Sequence, residues 1–118
     1  MSILSFGKKF NPQTTPIVTD LVGWTPYDGA PSMKTWIEHK SDDGKLLTGF
    51  WEAQPGTYRV VYTADEFIHV FEGRGTLFPD YGQPTTFEAG DSFQIPKGFT
   101  GLWKTEDRIR KVFVIRAS

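Results

Sequence analysis

Between Trp51 and Lys104, short runs of Val, Ile, Phe, Tyr and Thr alternate with polar, turn-forming residues at close spacing. Pro55-Gly56, Gly73-Arg74-Gly75, Tyr81-Gly82 and Pro96-Lys97-Gly98 mark the breaks, because Gly supplies positive φ and Pro cannot continue a strand ladder. The pattern predicts strands over 33–38, 46–54, 57–62, 66–72, 75–78, 85–87, 92–95, 101–105 and 109–116. A turn at Ser41-Asp42-Asp43-Gly44 divides the first two. No segment sustains a 3.6-residue period long enough to predict a helix. So many short strands imply an all-β antiparallel sandwich or small barrel.

Residues 1–32 lack such alternation, and Pro12, Pro16, Pro26 and Pro31 interrupt every run. They also hold Ile17, Val18, Leu21, Val22 and Trp24, which would otherwise sit in water. The segment is therefore expected to be an arm packed on the barrel, with a short strand near 16–18, ahead of a barrel spanning 33–118.

Composition narrows the function classes. The chain has 118 residues, enough for one domain and one core, and no cysteine for a disulfide or thiolate metal site. Its net charge is −1 and its Lys and Arg are scattered, which argues against a nucleic-acid partner. Lys8 and Lys9 soon follow Ile3 and Leu4, so neither a secretion signal nor a membrane span is expected, and the cytoplasm is the expected location.

Two spacings carry a family resemblance. Glu66 precedes Gly73 by six intervening residues, and Gly90 precedes Pro96-Lys97-Gly98 by five. Gly73 and Gly75 would permit a tight hairpin after the Glu66 strand, and Gly98 a positive φ after Pro96. With Gly49-Phe50-Trp51-Glu52, Asp65-Glu66-Phe67, Ala89-Gly90-Asp91 and Arg110-Lys111 in order, the chain resembles the cupin superfamily. The series is most similar to the small cupin group that includes the cupin domain of (S)-ureidoglycine aminohydrolase. The resemblance implies a single-domain cupin, a double-stranded β-helix of jelly-roll type with an N-terminal arm.

Metal-binding cupins use three His and one Glu, a set suited to Mn, Fe, Ni or Zn. Carried over by position, the Glu falls on Glu66 and the His positions on Val60, Tyr62 and Gly101. No metal and no other cofactor is therefore expected. His69 lies three residues after Glu66, so strand alternation turns it to the opposite face unless a β-bulge intervenes. His39 beside the Asp42-Asp43-Gly44 turn reads as solvated.

In the last strand Ile109, Phe113 and Ile115 share a phase with Lys111, which places that lysine toward the core. A buried ammonium needs a carboxylate, and Glu66 or Glu52 is the natural partner. Glu66 and Lys111 are thus the candidate catalytic pair, or else an ion pair that only holds the barrel. Trp51, Tyr58, Tyr62 and Trp103 are expected on inner faces, lining a slot with Glu52 and Gly101 or simply filling the barrel. The expected function is a pocket for a small polar metabolite, with a nitrogen-rich one among those that the resemblance implies, used for binding or for metal-independent catalysis. The alternative is a structural module with a filled barrel. Cupin pairing habits and the apolar arm add the expectation of a homodimer.

Overall fold

The computed structural model describes residues 2–117, among which there are eight strands and no helix. They are β1 (Trp24–Asp28), β2 (Met33–Lys40), β3 (Leu46–Ala53), β4 (Gly56–Val61), β5 (Asp65–Pro79), β6 (Thr85–Glu88), β7 (Ser92–Ile95) and β8 (Thr100–Arg116). All pairings are antiparallel, in the order β1-β4-β8-β3-β2, with β5 beside β8 and carrying β6 and β7. The first part of β8 pairs with β4 and its last part with β3, while β5 runs along its other edge. One sheet thus curls over itself into an all-β barrel, the architecture that the cupin resemblance implies.

The inner surface follows the two-residue period. Trp51, Ala53, Tyr58, Val60, Ile68, Val70, Trp103, Ile109 and Phe113 form the core, nearly all fully buried. Each large side chain of this kind contributes roughly 1.5–3 kcal/mol by leaving water. In β8 the buried series Ile109, Lys111, Phe113 keeps the phase expected from the sequence.

The expected hairpin at Gly73–Gly75 does not exist. β5 passes straight through it, with register shifts against β8 between Val70 and Gly75, and 101–105 and 109–116 are likewise one strand. The glycines serve close strand approach instead of a reversal. A Cβ on Gly73 would lie 2.1 Å from the Arg108 carbonyl oxygen, and one on Gly75 would lie 2.4 Å from that of Lys104. Gly73 also has a φ of 89°, the conformation of a bulge residue. Arg74, thrown outward there, is held by Asp107 at 2.8 Å and Glu106 at 3.2 Å.

The first 32 residues hold more structure than their sequence pattern announces. Strand β1 pairs with β4 at the sheet edge, where Pro26 removes no ladder bond that matters and the register shifts just after it. Before it, Ile17 and Thr35 exchange backbone hydrogen bonds of 2.7 and 2.9 Å. Phe10 packs edge-on against Trp36 and Phe50 on the outer face of the sheet, with the Arg110 guanidinium over its ring. The Glu38 carboxylate accepts from the Gln13 amide at 2.9 Å and the Thr14 hydroxyl at 2.5 Å. Leu21 and Trp24 pack on the core, whereas Val18 and Val22 stay exposed.

Candidate functional site

Four neighbouring segments bring the chemistry together at one end of the barrel. Glu66 opens β5 on its inner face, Lys111 projects inward from the middle of β8, and Tyr62 stands just past the end of β4. Trp24, from the start of β1, lies across them with its ring centroid 5.2 Å from Trp51, 5.5 Å from Trp103 and 6.0 Å from Tyr62.

Glu66 is shared between two donors. The Tyr62 hydroxyl donates to Oε1 at 2.5 Å, and the Lys111 ammonium donates to Oε2 at 2.9 Å. All three side chains are buried, Lys111 at 1% exposure. The ammonium also sits over three indoles, 4.4 Å from the Trp51 ring, 4.7 Å from Trp103 and 5.8 Å from Trp24. Ring faces carry negative quadrupole density, so this cage stabilises the buried cation. Burial pulls the Lys111 pKa below its ordinary value, and Glu66 opposes that pull. Burial pushes Tyr62 well above the ordinary tyrosine value, and the Glu66 charge and hydrogen bond push the same way. At neutral pH Tyr62 therefore keeps its proton and donates it to Glu66 in a hydrogen bond.

Above this triad lies a cavity of about 190 Å³. Lys111, Glu66, Tyr62, Thr35 and Thr63 supply its polar lining, while Leu21, Trp24, Ile37, Leu47, Trp51, Phe113 and Ile115 are among its apolar walls. A single water needs roughly 10–15 Å³ on the same scale, and drug-sized sites run to about 300–1,000 Å³. The cavity therefore suits a small metabolite. The Thr35 hydroxyl is buried with no protein hydrogen-bond partner, and Thr35 borders the cavity.

The other candidate residues are placed differently. Trp103 lies beneath the ammonium with its indole N–H donated to Thr105 at 3.1 Å, so it forms the cage and not the cavity wall. Tyr58 is buried in the barrel but turns its hydroxyl to Asp20 at 2.7 Å. Glu52 faces the other side of β3, where it pairs with Arg110 at 3.2 Å and accepts from Gln54. Gly101 is packed against β5, with a hypothetical Cβ only 2.3 Å from the Phe78 carbonyl oxygen. His69 lies on the outer face as expected, 2.7 Å from the Ser92 hydroxyl and edge-on to Phe71, with no register shift between it and Glu66.

Thr35, Trp24, Ile37 and Leu47 are among the site residues that sequence reasoning missed. Thr35 keeps phase with Met33 in β2, so alternation alone could have turned it inward. Trp24 gave only the general signal of a large ring that needs cover.

The positions that the cupin resemblance assigns to metal ligands do not fit a divalent ion. Val60 and Gly101 are cross-strand neighbours, one apolar and one with no room for a side chain. The cation beside Glu66 is already present as Lys111. Among the described residues no group of three or more His, Asp or Glu side chains could hold a metal.

No curated protein matches this chain. Solved structures of similar fold include the EutQ protein of Clostridium difficile, at 21% identity and a TM-score of 0.67, covering 75% of this chain and 70% of that one. A Salmonella typhimurium structure described as ethanolamine utilization protein Q gives 19% and 0.69 over 92% of this chain and 98% of its own. A DUF861-family protein of unknown function from Pseudomonas syringae gives 20% and 0.71, over 87% of this chain and 44% of its own. The profile of the EutQ-like cupin domain family matches residues 40–113, more than half of the chain, which therefore belongs to that family.

Proposed function

We propose that this cupin holds a small, uncharged polar metabolite in its barrel mouth, with an oxygen of the ligand accepting from Lys111. The observation that carries the reading is the cavity over a self-neutralised triad. Glu66 and Lys111 balance each other, so a charged ligand enclosed in the apolar walls would bring an uncompensated charge. A neutral carbonyl or hydroxyl compound brings none, and can use the remaining N–H bonds of Lys111 and the hydroxyl of Thr35.

The resemblance to the ureidoglycine aminohydrolase cupin domain suggests nitrogen-rich members of this class, such as small amides and ureides. Fold likeness is a weak warrant for a substrate, so the chemistry of the cavity takes precedence. The same cavity speaks against a barrel filled only for structure.

A thermal-shift series of small neutral amides, ureides and alcohols, beside carboxylates and amines of equal size, tests the reading. Binding to the folded state raises Tm, and the neutral set is expected to raise it most. Filling the cavity by Leu47→Trp should abolish the shift. If no neutral compound shifts Tm and Leu47→Trp destabilises the protein, the cavity is not a binding site.

A further inference from the structure

Ion pairing leaves one capability of Lys111 unused. A lysine in water keeps its proton, and its nitrogen lone pair is then unavailable for bonding. Sites that turn lysine into a nucleophile take the amine out of water and set a proton acceptor beside it. Both conditions hold here. Lys111 is 1% exposed against indole rings, and Glu66 Oε2 stands 2.9 Å from its nitrogen. Both residues border the cavity. The other lysines are all exposed.

We propose that Lys111 is an imine-forming lysine that captures a small aldehyde or ketone in the cavity, with Glu66 carrying its protons. The inference rests on the pocket reading above. Lys111 first passes a proton to Glu66, turning the ion pair into two neutral groups. The free amine adds to the carbonyl carbon, forming the C–N bond while the π electron pair moves to oxygen. That oxygen takes the proton from Glu66, and Glu66 then removes a proton from nitrogen to leave a neutral carbinolamine. The nitrogen lone pair forms the C=N bond as the C–O bond breaks, and the departing hydroxyl takes the proton from Glu66 and leaves as water. The sum is ammonium plus carbonyl giving protonated imine plus water, with Glu66 unchanged.

The site therefore begins and ends with one positive nitrogen and one carboxylate, the balance that its burial demands. The indole cage around the ammonium serves the protonated imine equally. Tyr62 is a positioning residue. By occupying Oε1 it leaves Oε2, the oxygen facing the amine, to carry the proton.

The test incubates the full chain with butanal and sodium cyanoborohydride, which fixes an imine as a secondary amine, and maps labelled lysines by mass spectrometry. In parallel, 1-butanol, which cannot form an imine, is titrated against tryptophan fluorescence. Lys111 is expected to label about tenfold or more faster than any exposed lysine, and Glu66→Gln to slow Lys111 alone. If Lys111 stays unlabelled, or labels no faster than the others, while butanol perturbs fluorescence, the imine is overturned and the pocket reading stands. If neither response occurs, both fall. Should Glu66→Gln not fold, the wild-type map decides alone.

Discussion

Val60 and Gly101 face each other across the β4–β8 pairing, at two of the positions that the cupin resemblance assigns to imidazole. Valine offers no donor, and the backbone of β5 leaves no space for a side chain on Gly101. We expect the purified protein to hold no stoichiometric Mn, Fe, Ni or Zn. One equivalent per chain in elemental analysis after dialysis would refute this. Gly101→Ala should cost about 1–3 kcal/mol by overpacking, read by urea unfolding.

The Glu66–Lys111 pair should be strongly non-additive. Removing one partner leaves a buried charge alone and costs roughly 3–5 kcal/mol, while replacing both with apolar groups is near neutral. A double-mutant cycle of Glu66→Gln and Lys111→Met, followed by denaturant unfolding, measures the coupling. Simple addition of the two losses would show that the contact does not matter to stability.

Alkaline stability should depend on the two buried tyrosines. Tyr62 and Tyr58 both have folded pKa values raised above their unfolded value near 10, mainly by burial. Their contribution is complete below about pH 10 and is lost as pH rises toward the folded values. Lys111 acts in the opposite sense, since its folded pKa is lowered and stability gains as the unfolded lysine sheds its proton up to about pH 10.5. Tyr62→Phe should flatten the fall in Tm above pH 10, and an unchanged slope would remove Tyr62 from this role.

A homodimer is the expected state, with residues before Pro31 contributing to the interface or capping the sheet. Ile3, Val18, Val22 and Tyr27 are all more than half exposed in the single chain, although the arm around Phe10 already covers its own sheet. Light scattering at micromolar concentration checks the mass. A monomer would overturn the expectation.

Strand alternation made the inner face readable because it is a local rule. It turned Lys111 inward among Ile109 and Phe113, and it separated Glu66 from His69 without any knowledge of the sheet. What it could not show was where two glycines lie against another strand. Gly73 and Gly75 look like a hairpin locally, and only the carbonyls of Arg108 and Lys104 make them a bulge. Strand β1 was hidden for a related reason, since Pro26 suits an edge and Trp24 fills the site through contacts remote in sequence. The sequence put Glu66 first as the partner of Lys111 with Glu52 as the alternative, and strand pairing sets Glu52 opposite Arg110 instead.

Strand β8 is flanked by β3, β4 and β5, yet it is the last of the eight to be synthesised. On the ribosome, β3, β4 and β5 emerge with the edges that β8 will occupy still open. Pairings between segments far apart in sequence form late because the chain entropy of closing the loop must be met first. Until residue 116 clears the exit tunnel, the nascent chain presents open ladder edges and an unfilled apolar trough. Its dependence on chaperones should therefore fall abruptly as the seventeen residues of β8 become available.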